Sequence, residues 1–144
     1  MREILFKAKS LDNGEWVEGS YAYVEHLGEH FILSSEKVDM GFDICFTTSQ
    51  YRIDENTLCQ YTGLTDKNGH AIWENDIIRH EDLTNGRYIF REQPMKNSYI
   101  KWNKFETRFE RNDGGSLYYS KKVEVVGNIF DNPELLEGVN KNKV

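Results

Sequence analysis

Four small groups of residues in this chain have the types and spacing that chemistry would need. His26 and His30 stand four apart, the separation that places two imidazoles on one helix face and so on one metal ion. The residues around them pattern as loop and strand, where four positions is a wide gap, and both histidines read as solvent-facing. Asp66, Asn68 and Gly69 open like a calcium loop, but its sixth and twelfth positions fall on Ala71 and Ile77, where calcium requires Gly and a bidentate Glu. Turn chemistry accounts for these residues without a cation. Glu74 and Asp76, two apart, share a face if the segment is a strand. Paired carboxylates do acid–base work only in a cleft and with separated pKa values, and the simpler reading has Asp76 accepting backbone or hydroxyl hydrogen bonds. His70 and His80 have no sequence-adjacent carboxylate that makes a catalytic case. No Gly-rich phosphate loop, Ser elbow or Cys–His pairing is present. The expectation is a protein without catalytic residues, metal ligands or cofactor.

The fourth group points to binding. Segment 87–111 holds Arg87, Arg91, Lys96, Lys101, Lys104, Arg108 and Arg111 against Glu92, Glu106 and Glu110, a local net of +4. Tyr88, Phe90, Tyr99, Trp102, Phe105 and Phe109 are interleaved with them. A basic groove with stacking aromatics is how small β domains hold single-stranded nucleic acid. Against this, Phe105, Thr107 and Phe109 alternate with Glu106, Arg108 and Glu110, so the aromatics would face a core and the charges water. The candidate surface, for nucleic acid or another partner, is Arg87, Arg91, Lys101, Trp102, Lys104, Arg108 and Arg111.

These residues must be carried by strands. Ile4, Phe6 and Ala8 alternate with Leu5, Lys7 and Lys9, the period of a half-buried strand. Asp12-Asn13-Gly14 turns the chain, and Trp16 to Val24 returns with Val17, Gly19, Tyr21 and Tyr23 on one face. Phe31–Leu33 is a third, short strand. Residues 34–50 are weakly patterned and read as a loop with one short strand near 44–47. Ile53 to Leu58 holds a helical turn capped by Asp54. Asn68-Gly69 is a strong hairpin cue, and Ile77-Ile78 beyond it reads as a strand buried on both faces. Further strands are expected over 87–91, 99–103, 105–111 and 123–129. Asn132 and Pro133 then start a short helix, and residues 138–144 form a frayed tail. Many short strands, Gly turns and little helical period give an all-β protein, with an acidic N-terminal lobe over 1–58 and a second unit over 59–137.

Composition sets the remaining bounds. Aromatics at 13% argue for a packed core. No apolar run approaches the ~20 residues of a membrane span, and the N-terminus lacks a signal-peptide pattern. Cys45 and Cys59 are the two cysteines, too few for a disulfide-stapled secreted domain, and read as reduced thiols in a cytoplasm. Residues 1–60 carry 5 Lys/Arg and 11 Asp/Glu, a net of −6, while residues 61–144 carry 13 of each. An acidic lobe disfavours sliding on DNA through bulk charge.

Three stretches carry a resemblance. REILFKAKSLDNGEWVEG near the start, ENTLCQYTGLTDKNG with IWENDII in the middle, and VVGNIFDNPELLEG near the end are similar, in order and spacing, to the YopX family of phage and prophage proteins. Glu74-Asn75-Asp76 stands where that family more often has Glu-Gly-Asp, and segments 34–50 and 80–98 match none of its motifs. The resemblance implies a mainly β protein whose C-terminal half is similar to an SH3-like barrel, encoded by a phage or prophage and acting in the cytoplasm of the host bacterium. It implies no activity, because the family has no established one. The expected function is therefore a non-enzymatic interaction module that binds a host or phage protein and pairs with itself as a homo-oligomer. The alternative is single-stranded nucleic-acid binding through 87–111. No membrane partner is expected.

Overall fold

A computed structural model of the chain describes residues 1–82 and 94–136. The chain divides into two compact units, Met1–Tyr61 and Thr62–Val144.

The first unit is an antiparallel meander of β1 (Phe6–Lys9), β2 (Trp16–Val24), β3 (Glu29–Asp39) and β4 (Ile44–Arg52). The start of β5 (Cys59–Thr65) pairs with β1 on its other side. The first turn forms because Gly14 takes φ +72° and Asn13 Oδ1 accepts the Glu15 N–H at 3.0 Å, local chemistry that Asn and Gly supply. Ala8, Ile32 and Ile53 are buried at the centre, with Phe6, Val17, Tyr21, Tyr51 and Leu58 packed around them. Full burial of each Ile removes enough apolar surface to contribute about 1.5–3 kcal/mol. Gly19 lets β2 serve both neighbours: it pairs with Phe6 while Ser20 pairs with Leu33. A Cβ at position 19 would collide with the Leu33 carbonyl. The expected helical turn is a single 3-10 turn over Glu55–Thr57, with Asp54 Oδ1 accepting the Asn56 N–H at 3.0 Å.

Residues 34–50 are not a loop. They form the outer length of a β3–β4 hairpin whose register runs without interruption from Phe31↔Arg52 to Asp39↔Ile44. The pattern over these residues is weak because both faces of this ribbon are exposed over most of β4. Inward–outward alternation, the basis of strand recognition, exists only where one face is buried.

The second unit contains the end of β5, then β6 (Ala71–Trp73), β7 (Asp76–Glu81), β8 (Met95–Asn103), β9 (Arg108–Arg111) and β10 (Glu124–Asn128). Ile72, Ile78, Ile100, Leu117 and Val123 form its core, with Phe109 and Val125 against them. Ile77 and Ile78 are both fully buried, as a two-faced strand requires. The sheet order is β10-β7-β8-β9. This is an open sheet, and the described residues close no barrel, in contrast to the SH3-like barrel the family resemblance implied. What joins the β5–β6 turn to β10 is Asp66. The β5–β6 turn reaches β10 through the Asp66 carboxylate, which accepts the Val125 N–H at 3.0 Å, and through the Lys67 N–H to Val123 O at 3.0 Å. A carboxylate and one backbone bond take the place of a continuous ladder.

The strand expected over 105–111 is shorter. Asn103 Oδ1 accepts the N–H groups of Phe105 (3.0 Å) and Glu106 (3.2 Å), and Thr107 takes φ +51°. These hold 104–107 as the hairpin turn, so β9 begins at Arg108. Phe105 is consequently 88% exposed rather than inward. The strand expected over 87–91 and the tail from 138 lie outside the described residues. A 3-10 turn occupies Pro133–Leu136.

Candidate functional site

Of the basic–aromatic set, Arg87 and Arg91 lie outside the described residues. Lys101, Trp102, Lys104, Arg108 and Arg111 fall on the β8–β9 hairpin, which pairs Lys101 with Glu110 and Trp102 with Phe109. The hairpin brings the cations onto carboxylates. Arg108 lies 2.6 Å from Glu106 and 3.4 Å from Glu110, and Lys101 is 3.8 Å from Glu110. Arg111 Nε donates to Asp113 at 3.0 Å, and Lys96 sits 2.8 Å from the other oxygen of Asp113. Burial pushes the Asp113 carboxyl up, but Lys96, Arg111 and the Gly115 N–H outweigh it and hold it well below the usual carboxylate range. Lys104 lies 5.2 Å over the Phe105 ring. Trp102 is 46% exposed and packs edge-on against Phe109 at 4.9 Å. Among the described residues of 87–111, four of the five cations thus lie within 4 Å of a carboxylate. What faces outward is aromatic surface, Trp102 and Phe105, beside Lys104.

The residues weighed for catalysis find structural partners. Asp66 is buried and accepts three backbone N–H groups, from Asn68 (2.9 Å), His70 (2.9 Å) and Val125 (3.0 Å). Burial raises its pKa, and these donors, with nearby His70, overcome that and lower it. Asp76 Oδ2 accepts the Trp73 N–H at 2.9 Å. Asn75 takes φ +68°: the backbone here is left-handed, which Gly adopts most readily and Asn next. His80 is buried, with Nε2 2.8 Å from Ser98 Oγ and Nδ1 2.9 Å from Glu81 O. Burial keeps this imidazole neutral by lowering its pKa. Among the described residues no cluster of His, Cys, Asp and Glu is arranged to hold a metal ion.

His30 is not solvent-facing. Its Nδ1 is 2.6 Å from Tyr21 Oη and its Nε2 is 2.5 Å from Glu55 Oε2. This carboxylate–imidazole–phenol chain has the connectivity of a nucleophile relay. Burial first, then Glu55 and Tyr23, raise the Tyr21 pKa, which makes the phenol harder to ionise. Tyr21 and His30 also stack at 5.9 Å. The chain ties β2 and β3 to the Glu55–Thr57 turn.

The most distinctive surface is the β3–β4 ribbon. Phe42 is 91% exposed and Phe46 74%, with Met40 and Ile44 about half exposed and Cys45 also at the surface. Ile44 and Phe46, two apart on one strand, share a face. Large apolar groups gathered on one exposed feature mark interaction surfaces. The apolar residues at 40, 42, 44 and 46 repeat every second position, a signal obscured by the Gly and Asp between them. No helix among the described residues is long and apolar enough to cross a membrane.

No curated protein matches the sequence. The chain is similar in structure to the crystal structure of protein EF1440 from Enterococcus faecalis, at 22% identity and a TM-score of 0.62, over 95% of this chain and 100% of that one. At that identity the likeness speaks for the fold. The model of the YopX protein family matches residues 5–137, spanning the opening strand pair, the Asp66 turn with the Asn75–Ile78 segment behind it, and the closing β10, and the chain belongs to the YopX family.

Proposed function

We propose that this chain is a non-enzymatic interaction module, encoded by a phage or prophage and working in the cytoplasm of its bacterial host, that binds protein. The observation that carries the reading is the β3–β4 ribbon, which presents Met40, Phe42, Ile44 and Phe46 to solvent. Phe side chains of this exposure bury about 150–250 Å² each when covered, so two of them supply the apolar centre of a modest interface. The test is affinity capture from infected host cells with the wild-type chain and with a Phe42→Ser/Phe46→Ser variant. A protein retained by the first and lost from the second is the expected result; identical captures refute the reading.

A second reading, single-stranded nucleic-acid binding, is favoured by the exposed Trp102 and Phe105 beside Lys104. Base stacking on such rings contributes roughly 1–3 kcal/mol each. Fluorescence anisotropy of a labelled oligonucleotide separates the two. Binding that weakens steeply with salt and is lost in Trp102→Ala or Lys101→Ala favours nucleic acid. No binding at low salt rules it out.

A further inference from the structure

We infer that the exposed edge of β4 is a self-pairing strand, by which two copies of this chain join antiparallel about a two-fold axis at Thr48. The inference rests on the interaction-module reading and names the partner for that ribbon as a second copy.

Two hydrogen bonds fix which backbone groups are free. Met40 N–H donates to Asp43 O at the turn, and Ile53 N–H donates to His30 O at the other end. In an antiparallel ladder bonded and non-bonded pairs alternate, so the odd-numbered residues of β4 are those bonded to β3. Ile44, Phe46, Thr48, Gln50 and Arg52 turn their N–H and C=O groups away from it. Of these, Arg52 O accepts the Leu11 N–H and Ile44 N–H donates to Asp43 Oδ1. Phe46, Thr48 and Gln50 are left with both groups open among the described residues, on the outermost strand of the order β4-β3-β2-β1-β5-β6.

Proteins guard such edges with Lys, Pro, bulges or inward charges. None is present here. Residues 44–51, ICFTTSQY, are uncharged and contain no Pro, and the β3–β4 register shows no bulge. The composition of this edge suits its own copy. A symmetric antiparallel pairing must pass its axis through a residue, because bonded and non-bonded pairs alternate. With the axis at Thr48, Thr48 faces Thr48 and each Phe46 faces Gln50, giving roughly six new backbone bonds from three fully open pairs. No like charges are brought opposite. The antiparallel direction instead carries the acidic turn of each copy, Asp39 and Asp43, toward the Arg52 end of the other, where Arg52 is partly engaged by Glu29 at 3.2 Å. Leu11 already occupies Arg52 O, which ends the pairing there. A strand edge of this length falls short of the ~800 Å² per partner of a standard interface, so the association is concentration-dependent.

Thr48→Pro is the discriminating variant. The proline removes an outward N–H and leaves the odd-numbered bonds to β3 intact, the one position type a strand tolerates. Sedimentation equilibrium of the full chain should give a reversible monomer–dimer for wild type. Thr48→Pro and the edge guard Thr48→Lys should each weaken it by roughly tenfold or more, with wild-type circular dichroism. Independently, a nitroxide on the exposed Cys45 should report pairs separated by about 20 Å, six residues of strand offset. Wild type that stays monomeric to ~100 µM, the weak end for such areas, overturns the inference, as does a dimer that survives both substitutions or a label separation far from that value. A monomer that still captures a protein through Phe42 and Phe46 overturns only the second-copy assignment; a monomer that captures nothing ends the module reading as well.

Discussion

Replacing Asp66 should unfold the second unit more readily than any other single polar change in it. The side chain is 1% exposed and its two oxygens take three backbone N–H groups, from Asn68, His70 and Val125, at 2.9–3.0 Å. Bonds to an ionised acceptor contribute about 1.5–3 kcal/mol each, and removing the acceptor leaves buried donors unpaired. The three are not additive, because once β10 loosens water reaches the others. The expected loss for Asp66→Ala is about 3–5 kcal/mol, a large share of the ~5–15 kcal/mol by which domains are stable. Asp66→Asn keeps an oxygen for the Asn68 and His70 donors but turns an amide N–H toward the Val125 N–H, and should lose about 2–3 kcal/mol. The assay is urea unfolding in a Trp16→Phe background, so that emission comes from Trp73 and Trp102 of the second unit. A loss under ~1 kcal/mol for Asp66→Ala at unchanged m-value refutes the reasoning. Stabilisation of wild type by millimolar calcium would restore the metal reading of this loop.

Three further outcomes follow from the geometry. Gly19→Ala places a Cβ against the Leu33 carbonyl and should cost about 1–3 kcal/mol by strain, read as a lowered melting temperature of the first unit. Asn75→Gly should be neutral or stabilising by up to ~1 kcal/mol, whereas Asn75→Val, at φ +68°, should destabilise by more than ~1 kcal/mol; equal melting temperatures for the two would contradict the backbone argument. Stability should fall with acid in two stages. His80 has a folded pKa below its unfolded ~6.5, so the unfolded state binds more protons there and stability declines as pH drops below that value. Asp66 and Asp113 have folded pKa values below the usual carboxylate, so their contribution is whole above ~4 and lost as pH falls further. His80→Gln should flatten the upper stage and Asp113→Asn shrink the lower, in melting temperatures taken from pH 7 to 3.

Local chemistry was legible in the letters. β2 begins and ends at Trp16 and Val24 as its alternation indicates, because one of its faces meets the core. The Asp12–Gly14 and Asp66–Gly69 turns, the Asp54 cap and the doubly buried Ile77-Ile78 follow from side chains acting on their own neighbourhoods. Ordered motifs at both ends and the middle placed the chain in its family. Three things needed the tertiary structure. Residues 34–50 pair as a ribbon because β3 extends past the core, and a strand exposed on both faces leaves no burial pattern to read. The cations in the described part of the 87–111 segment sit beside carboxylates because the β8–β9 register sets Lys101 and Arg108 onto Glu110 and the next turn sets Lys96 and Arg111 onto Asp113, a matter of cross-strand distance that counting cannot supply. Among the described residues of the second unit the sheet closes no barrel, and one buried carboxylate joins β10 to the β5–β6 turn. Sequence specifies what each residue prefers beside its neighbours. Which distant groups are left facing water, and so can meet a partner, is settled only when the strands take their register.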